Sequence, residues 1–215
     1  MRYNKYLTIG LLSVSLIALE MAWTRIFSAE FFYTFAFLIL SLAVLGLGLG
    51  SLSLRFFKFL NREKNLPHLL ILTALAMFIG PVLIFKLNIQ FTHIFSDNLM
   101  IIKLIFAVLV LNSAYFLGGL ALALLLKTHN KSLDKLYMVD LISAGAGIIL
   151  VILLMNLLNT PVATFLVSFP ILLAAFLAYQ KLYKIIPVAL ASLYLAATPF
   201  ADDLLQAERK ERAEV

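Results

Sequence analysis

The chain has 215 residues, 63% of them apolar and 13% charged, with a formal net charge of +6 and no cysteine. Soluble domains average about 45–50% apolar and about 25% charged, so this composition excludes a soluble globular fold. The absence of cysteine excludes disulfides and thiolate sites, and nucleic acid is not an implied partner, because the basic residues sit in short segments between apolar runs.

Those apolar runs reach about 18 residues or more, the length a helix needs to cross a roughly 30 Å hydrocarbon core. Barrel strands would alternate apolar and polar over about ten residues, and no such alternation is present. Lipid offers the backbone no hydrogen-bond partner, which leaves helices. The pattern predicts an all-α, polytopic membrane helix bundle with seven spans, over 6–24, 31–54, 67–86, 99–126, 136–158, 161–180 and 183–199. One transmembrane domain then covers 1–200 and a charged tail covers 201–215. The lipid bilayer is the first partner.

The first span follows Arg2 and Lys5 as a signal peptide would, but Phe27 stands where cleavage after Ala29 needs a small residue. It reads as an uncleaved anchor. Pro170 falls mid-span in the sixth span and predicts a kink. Pro187 lies in the first turns of the seventh, where a missing N–H costs little. Arg2, Lys5, Arg55, Lys58, Arg62, Lys64, Lys127, Lys131, Lys135, Lys181 and Lys184 fall on one side of the alternating spans. Arg25, Lys86 and Lys103 fall on the other. The positive-inside bias predicts a cytoplasmic N-terminus, and an odd number of spans puts the tail outside.

The stretch Leu16–Phe37 carries Glu20, Arg25 and Glu30 within or beside two apolar runs. A charged side chain at membrane depth costs roughly 2.5–3.5 kcal/mol on insertion scales, so it has to be paired, wetted or interfacial. Helical rise places Glu20 about 20 Å into the first span. Thr24 shares its face at i+4. Arg25, five residues on and able to snorkel outward, and Lys103, entering the fourth span from outside, are the expected partners. Two readings follow: a salt bridge fixing spans one, two and four, or a cation or proton site on the outer side.

Asp140 lies about one turn into the fifth span, where the helix dipole favours an acid and Arg55 or Lys58 could reach it. It differs from Glu20 by roughly 13 Å in depth, so the two are no carboxylate dyad. They could instead mark the ends of a polar path through Asn112, Tyr115 and Ser143, with Asn112 and Tyr115 on one face of span four. Gly46 and Gly50, Ser143 and Gly147, and the Gly118–Gly119 pair read as small-residue faces for close helix packing, not as phosphate loops, which need a preceding strand. His68, His93 and His129 show no ligand spacing, and no serine, histidine and acid gather at one depth. No metal, cofactor or catalytic residue is predicted. Trp23, Tyr33, Tyr115, Tyr137, Tyr179 and Tyr183 read mostly as interfacial aromatics. Phe31, Phe32, Tyr33, Phe35 and Phe37 read as lipid-facing or packing surface.

LEMAWTRIFS at 19–28, YTFAF at 33–37, SLAVLGLGLG at 41–50, AYFLGGLALALLL at 114–126 and LYMVDLISAGAG at 136–147 resemble, in order, the membrane domain of bacterial membrane-spanning spermidine synthase-like proteins. In that family a Rossmann-type aminopropyltransferase-like domain follows. Its glycine-rich loop and catalytic acids have no counterpart in these 215 residues, so no catalytic residue carries over. The resemblance implies a bacterial inner-membrane module with Glu20, Trp23, Arg25, Gly46, Gly50, Gly118, Gly119, Asp140 and Gly147 at recurrent positions. It is either a piece of a longer protein or a stand-alone relative working with a separate partner. The expectation is a non-enzymatic module that binds or moves a small cation such as a polyamine. The alternative is a structural subunit that anchors membrane or soluble partner proteins through its small-residue faces and tail.

Overall fold

The computed structural model describes residues 4–30, 33, 35–87, 89, 98–179 and 181–206. Arg2, Phe31, Phe32, His93 and the tail beyond 206, named above, lie outside them. The described residues are helical, without a strand: α1 (Lys5–Glu30), α2 (Phe35–Phe56), α3 (Leu66–Lys86), α4 (Asn98–Thr128), α5 (Leu133–Leu158), α6 (Thr160–Leu166), α7 (Phe169–Ala178), α8 (Ile185–Ala197) and α9 (Ala201–Gln206).

Among the described residues six helical segments are long and apolar enough to cross a membrane, α6 and α7 together forming the sixth, Thr160–Ala178. The chain is a multi-pass helical membrane bundle. The seventh predicted span corresponds to a shorter apolar segment, Ile185–Phe200.

Local sequence explains the boundaries. Asn4 starts α1 by accepting from the backbone N–H of Tyr6 and Leu7 at 3.2 and 3.3 Å, which satisfies two donors a helix start leaves free. Asn159 separates α5 from α6 with φ of 87° and ψ of 164°, an extended positive-φ conformation that residues other than glycine rarely adopt. Its side chain then caps α6 by accepting from Val162 N at 3.0 Å. The kink expected at Pro170 is a full break: α6 ends at Leu166, and Pro170 sits in the first turn of α7. A proline there loses no intrahelical bond. Ser15 of α1 stabilises the break, its Oγ accepting from Ile171 N at 3.0 Å in the buried interior.

Helix α1 is the central element, packed against α2, α4, α5, α6 and α7. Helix α4 packs against α2 on one side and α3 on another. Small residues make the close contacts. A Cβ on Gly119 would fall 2.6 Å from Leu47 Cα and O in α2, and one on Gly147 would fall 2.8 Å from Val14 O in α1. Gly118 makes room for the Leu16 side chain, and a Cβ on Gly10 would meet Ser143 Oγ at 2.8 Å. Gly48 and Gly145, by contrast, face open space. The expected small-residue faces are therefore turned inward, against the chain's own helices.

The aromatic core is Trp23, Phe27, Tyr115, Phe165 and Tyr194, each nearly or fully buried. Phe78 stacks on Tyr194 with ring centroids 4.2 Å apart, and the Tyr194 hydroxyl donates to Ala74 O at 3.0 Å. The basic segments gather at one end. Lys5 Nζ donates to Ser132 Oγ at 2.6 Å, and Lys127 Nζ donates to Asn61 Oδ1 at 2.8 Å. His68, in the first turn of α3, shares a 2.9 Å hydrogen bond with Tyr179, just past α7. Helix α9 packs against α3 and α6, with Ala201 and Leu205 buried. Ala201 and Leu205, four apart, form an apolar helix face.

Candidate functional site

Two polar levels lie along α1. The lower begins with Ser13, buried and eight residues on from Lys5, about 12 Å of rise. Its hydroxyl is shared between Ile9 O, at 2.8 Å, and the Asp140 carboxylate. Asp140 is thus held by Ser13 of α1, and not by Arg55 or Lys58, because α5 packs on α1 while α2 packs on α4. A hydrogen bond to a charged acceptor contributes about 1.5–3 kcal/mol. Ser13→Ala should destabilise the protein by about that amount, and Asp140→Asn, which keeps an acceptor oxygen, by less. Thermal unfolding in detergent measures both.

The upper level centres on Glu20, 15 residues on from Lys5, about 22 Å of rise. Glu20 is partly buried, and among the described residues no cation lies within 4.0 Å of its carboxyl. Neither expected partner reaches it. Arg25 is exposed on another face of α1, since five residues turn a helix through about 140° beyond one full turn. Lys103 lies 12 residues from Tyr115 on α4, about 18 Å along the helix. Tyr115 is the α4 residue at this level: its ring meets Trp23 edge-on at 5.6 Å between centroids.

Around Glu20 four buried polar atoms have no hydrogen-bond partner: Trp23 Nε1, Thr24 Oγ1, Asn112 Oδ1 and the Tyr115 hydroxyl. They belong to one cluster. Trp23 and Thr24 lie one turn beyond Glu20 on α1, at i+3 and i+4. Asn112 and Tyr115 lie three apart on α4, and both border Gly46 of α2, whose Cβ would fall 2.5 Å from Tyr115 Cβ and 2.9 Å from Asn112 Oδ1. Thr24, on the same face as Glu20, makes no hydrogen bond to it. Each orphan of this kind costs about 1–3 kcal/mol, and native structures hold only a few per 100 residues. Buried polar groups in native structures are paired with protein or with ordered water, so water or a polar ligand is the expected partner of these atoms.

The expected polar path does not run unbroken. Leu16, nearly fully buried and seated on Gly118, lies on α1 between Ser13 and Glu20. Ser143 belongs to the lower level, facing Gly10, while Asn112 and Tyr115 belong to the upper. Tyr33, Tyr137 and Tyr183 are exposed. Trp23 and Tyr115 are 0% and 1% exposed, and Tyr179 is also buried. Trp23 is enclosed because Gly80 of α3 leaves room for its ring, a Cβ there falling 3.2 Å from the indole. The i+3 spacing from Glu20 was the available signal for Trp23. Nothing in the sequence singled out Gly80. Among the described residues no histidine, aspartate and glutamate group could hold a metal ion.

These levels define a multi-pass helical membrane bundle with an uncompensated acid and unsatisfied polar groups in its interior. The chain matches no family model, no curated protein and no solved structure.

Proposed function

We propose that this chain is a non-catalytic bacterial inner-membrane module of the spermidine synthase-like kind, binding a small cation such as a polyamine at the Glu20 level. The observation that carries the reading is the Glu20 carboxylate, with no cation within 4.0 Å among the described residues, on the stretch of α1 that also holds two of four buried polar atoms without a described hydrogen-bond partner. A cation neutralises the carboxylate. The oxygens of Asn112, Thr24 and Tyr115 accept from its N–H groups or replace its hydration. Trp23 Nε1, a donor only, is satisfied by water carried in with it. Leu16 against Gly118 is the barrier between this level and Asp140, so binding is from the side opposite the N-terminus.

Sidedness rests on the positive-inside bias, supported by the gathering of Lys5, Lys127 and their partners at one end. The packing of α9 on α3 and α6 supports a seventh crossing by Ile185–Phe200 and an external C-terminus. Purified protein in proteoliposomes should bind radiolabelled spermidine, and Glu20→Gln should reduce that binding at least about 10-fold, the loss of about 1.4 kcal/mol or more expected when a charged partner is removed. Equal binding by a folded Glu20→Gln protein overturns the reading.

A second reading, a scaffold for partner subunits, is favoured by α5, the least covered of the long helices. It would act through the open faces at Gly145 and Gly48, and not through Gly46 or Gly118, which are occupied within the chain.

A further inference from the structure

A cavity of about 570 Å³ lies between α1, α7 and α8, lined by apolar side chains including Leu11, Leu173, Phe176, Pro187 and Ala191. Its volume is within the roughly 300–1,000 Å³ of small-molecule sites. Its lining offers almost no polar atom, so any occupant is hydrocarbon where it touches these residues. Two features of the fold create it. The break between α6 and α7 brings Phe169 and Pro170 into its lining, and α8, which starts after the short helical turn at 181–184 and packs on α7, supplies Pro187, Val188 and Ala191. Ala191 supplies only a methyl group where a larger residue would fill the space.

The mouth carries a charge. Lys184 Nζ sits 4.4 Å from the centroid of the Phe176 ring, and Phe176 is itself a lining residue. A cation held on an aromatic face has a fixed position, and among the described residues no carboxylate lies within 4.0 Å of it. An apolar slot with a positioned cation at the end where the basic segments gather matches one occupant: a lipid with a hydrocarbon tail and an anionic headgroup. Basic residues near a membrane surface attract such lipids.

We propose that the α1–α7–α8 cavity binds an acyl chain of an anionic phospholipid whose phosphate is held by Lys184. The site is independent of the Glu20 level, since Leu11 is the only α1 residue lining it.

The test uses the full chain, delipidated in detergent and titrated with dioleoyl phosphatidylglycerol or dioleoyl phosphatidylcholine, with bound lipid counted by native mass spectrometry. The expected result is one tightly held phosphatidylglycerol, preferred about five-fold over phosphatidylcholine, the scale of one basic residue near an anionic headgroup. Lys184→Gln should abolish the preference and keep the binding. Ala191→Trp should abolish binding of both lipids. Equal retention of the two lipids by the unsubstituted protein, or undiminished phosphatidylglycerol on a folded Ala191→Trp protein, overturns the proposal.

Discussion

Gly50→Leu should prevent the bundle from assembling, whereas Gly48→Leu, two residues away on the same helix, should leave it intact. A Cβ on Gly50 would fall 2.7 Å from Leu120 N and 3.1 Å from the Gly119 carbonyl carbon, and closer still to Phe116 O. All three are backbone atoms of α4, which no side-chain rotation can move aside. Overpacking a core costs about 1–3 kcal/mol when side chains can adjust; here two helix backbones must separate, so about 3 kcal/mol or more is expected. Separation would also disturb the reciprocal contact of Gly119 with Leu47, so the loss spreads along the α2–α4 interface. Gly48 has nothing within 4 Å, and a leucine there meets lipid, with an effect within about 0.5 kcal/mol. The monodisperse fraction on size exclusion and the unfolding temperature in detergent separate the two. Equal behaviour of the two variants would mean that α2 does not approach α4 through Gly50.

The same pair shows what was legible beforehand. The Gly46–Gly50 spacing marks a face of α2, and Gly48, 200° around the helix from either on a 100° step, falls on the opposite one. Which helix that face meets depends on tertiary packing that spacing does not encode. The apolar runs identified the helices because lipid forces the backbone to satisfy itself, and the long ones lie where the runs lie. The exceptions have local causes. Pro170 breaks its helix outright because Ser15, 156 residues away in sequence, is available to take Ile171 N. Residues 201–206 join the bundle because Ala201 and Leu205 find a surface on α3 and α6, which a charged composition concealed.

The candidate site was legible in part for the same reason. A buried acid is conspicuous in an apolar sequence, and Asn112 and Tyr115 share a helical face at matching depth. Its neighbours were assigned by charge alone, and charge was a poor guide. Arg25 and Lys103 lie on the wrong face or at the wrong depth, and Asp140 is held by a neutral serine. Trp23 was read as interfacial from its distance along α1, but that distance says nothing about lateral cover. Only the arrangement of α2, α3 and α4 around α1 makes its indole a buried, unpartnered donor.

Tyr115→Phe should raise thermal stability while weakening cation binding, the opposite of what a structural residue does. The Tyr115 hydroxyl is buried without a partner, and such a group costs about 1–3 kcal/mol. Removing it while keeping the ring preserves the edge-on contact with Trp23 at 5.6 Å, so a gain of about 1 kcal/mol is expected, roughly 2–4 °C for a chain of this size. Trp23→Ala removes the largest fully buried side chain and opens a void between Gly80, Phe27 and Tyr115, which should cost about 3–5 kcal/mol. The two residues touch, yet the substitutions should move stability in opposite directions. A polar group that weakens the fold persists where it serves a ligand. If Tyr115→Phe lowers the unfolding temperature instead, the phenol is satisfied by a structural water and belongs to the scaffold. If it stabilises the protein and leaves spermidine binding unchanged, Tyr115 has no part in the proposed cation site.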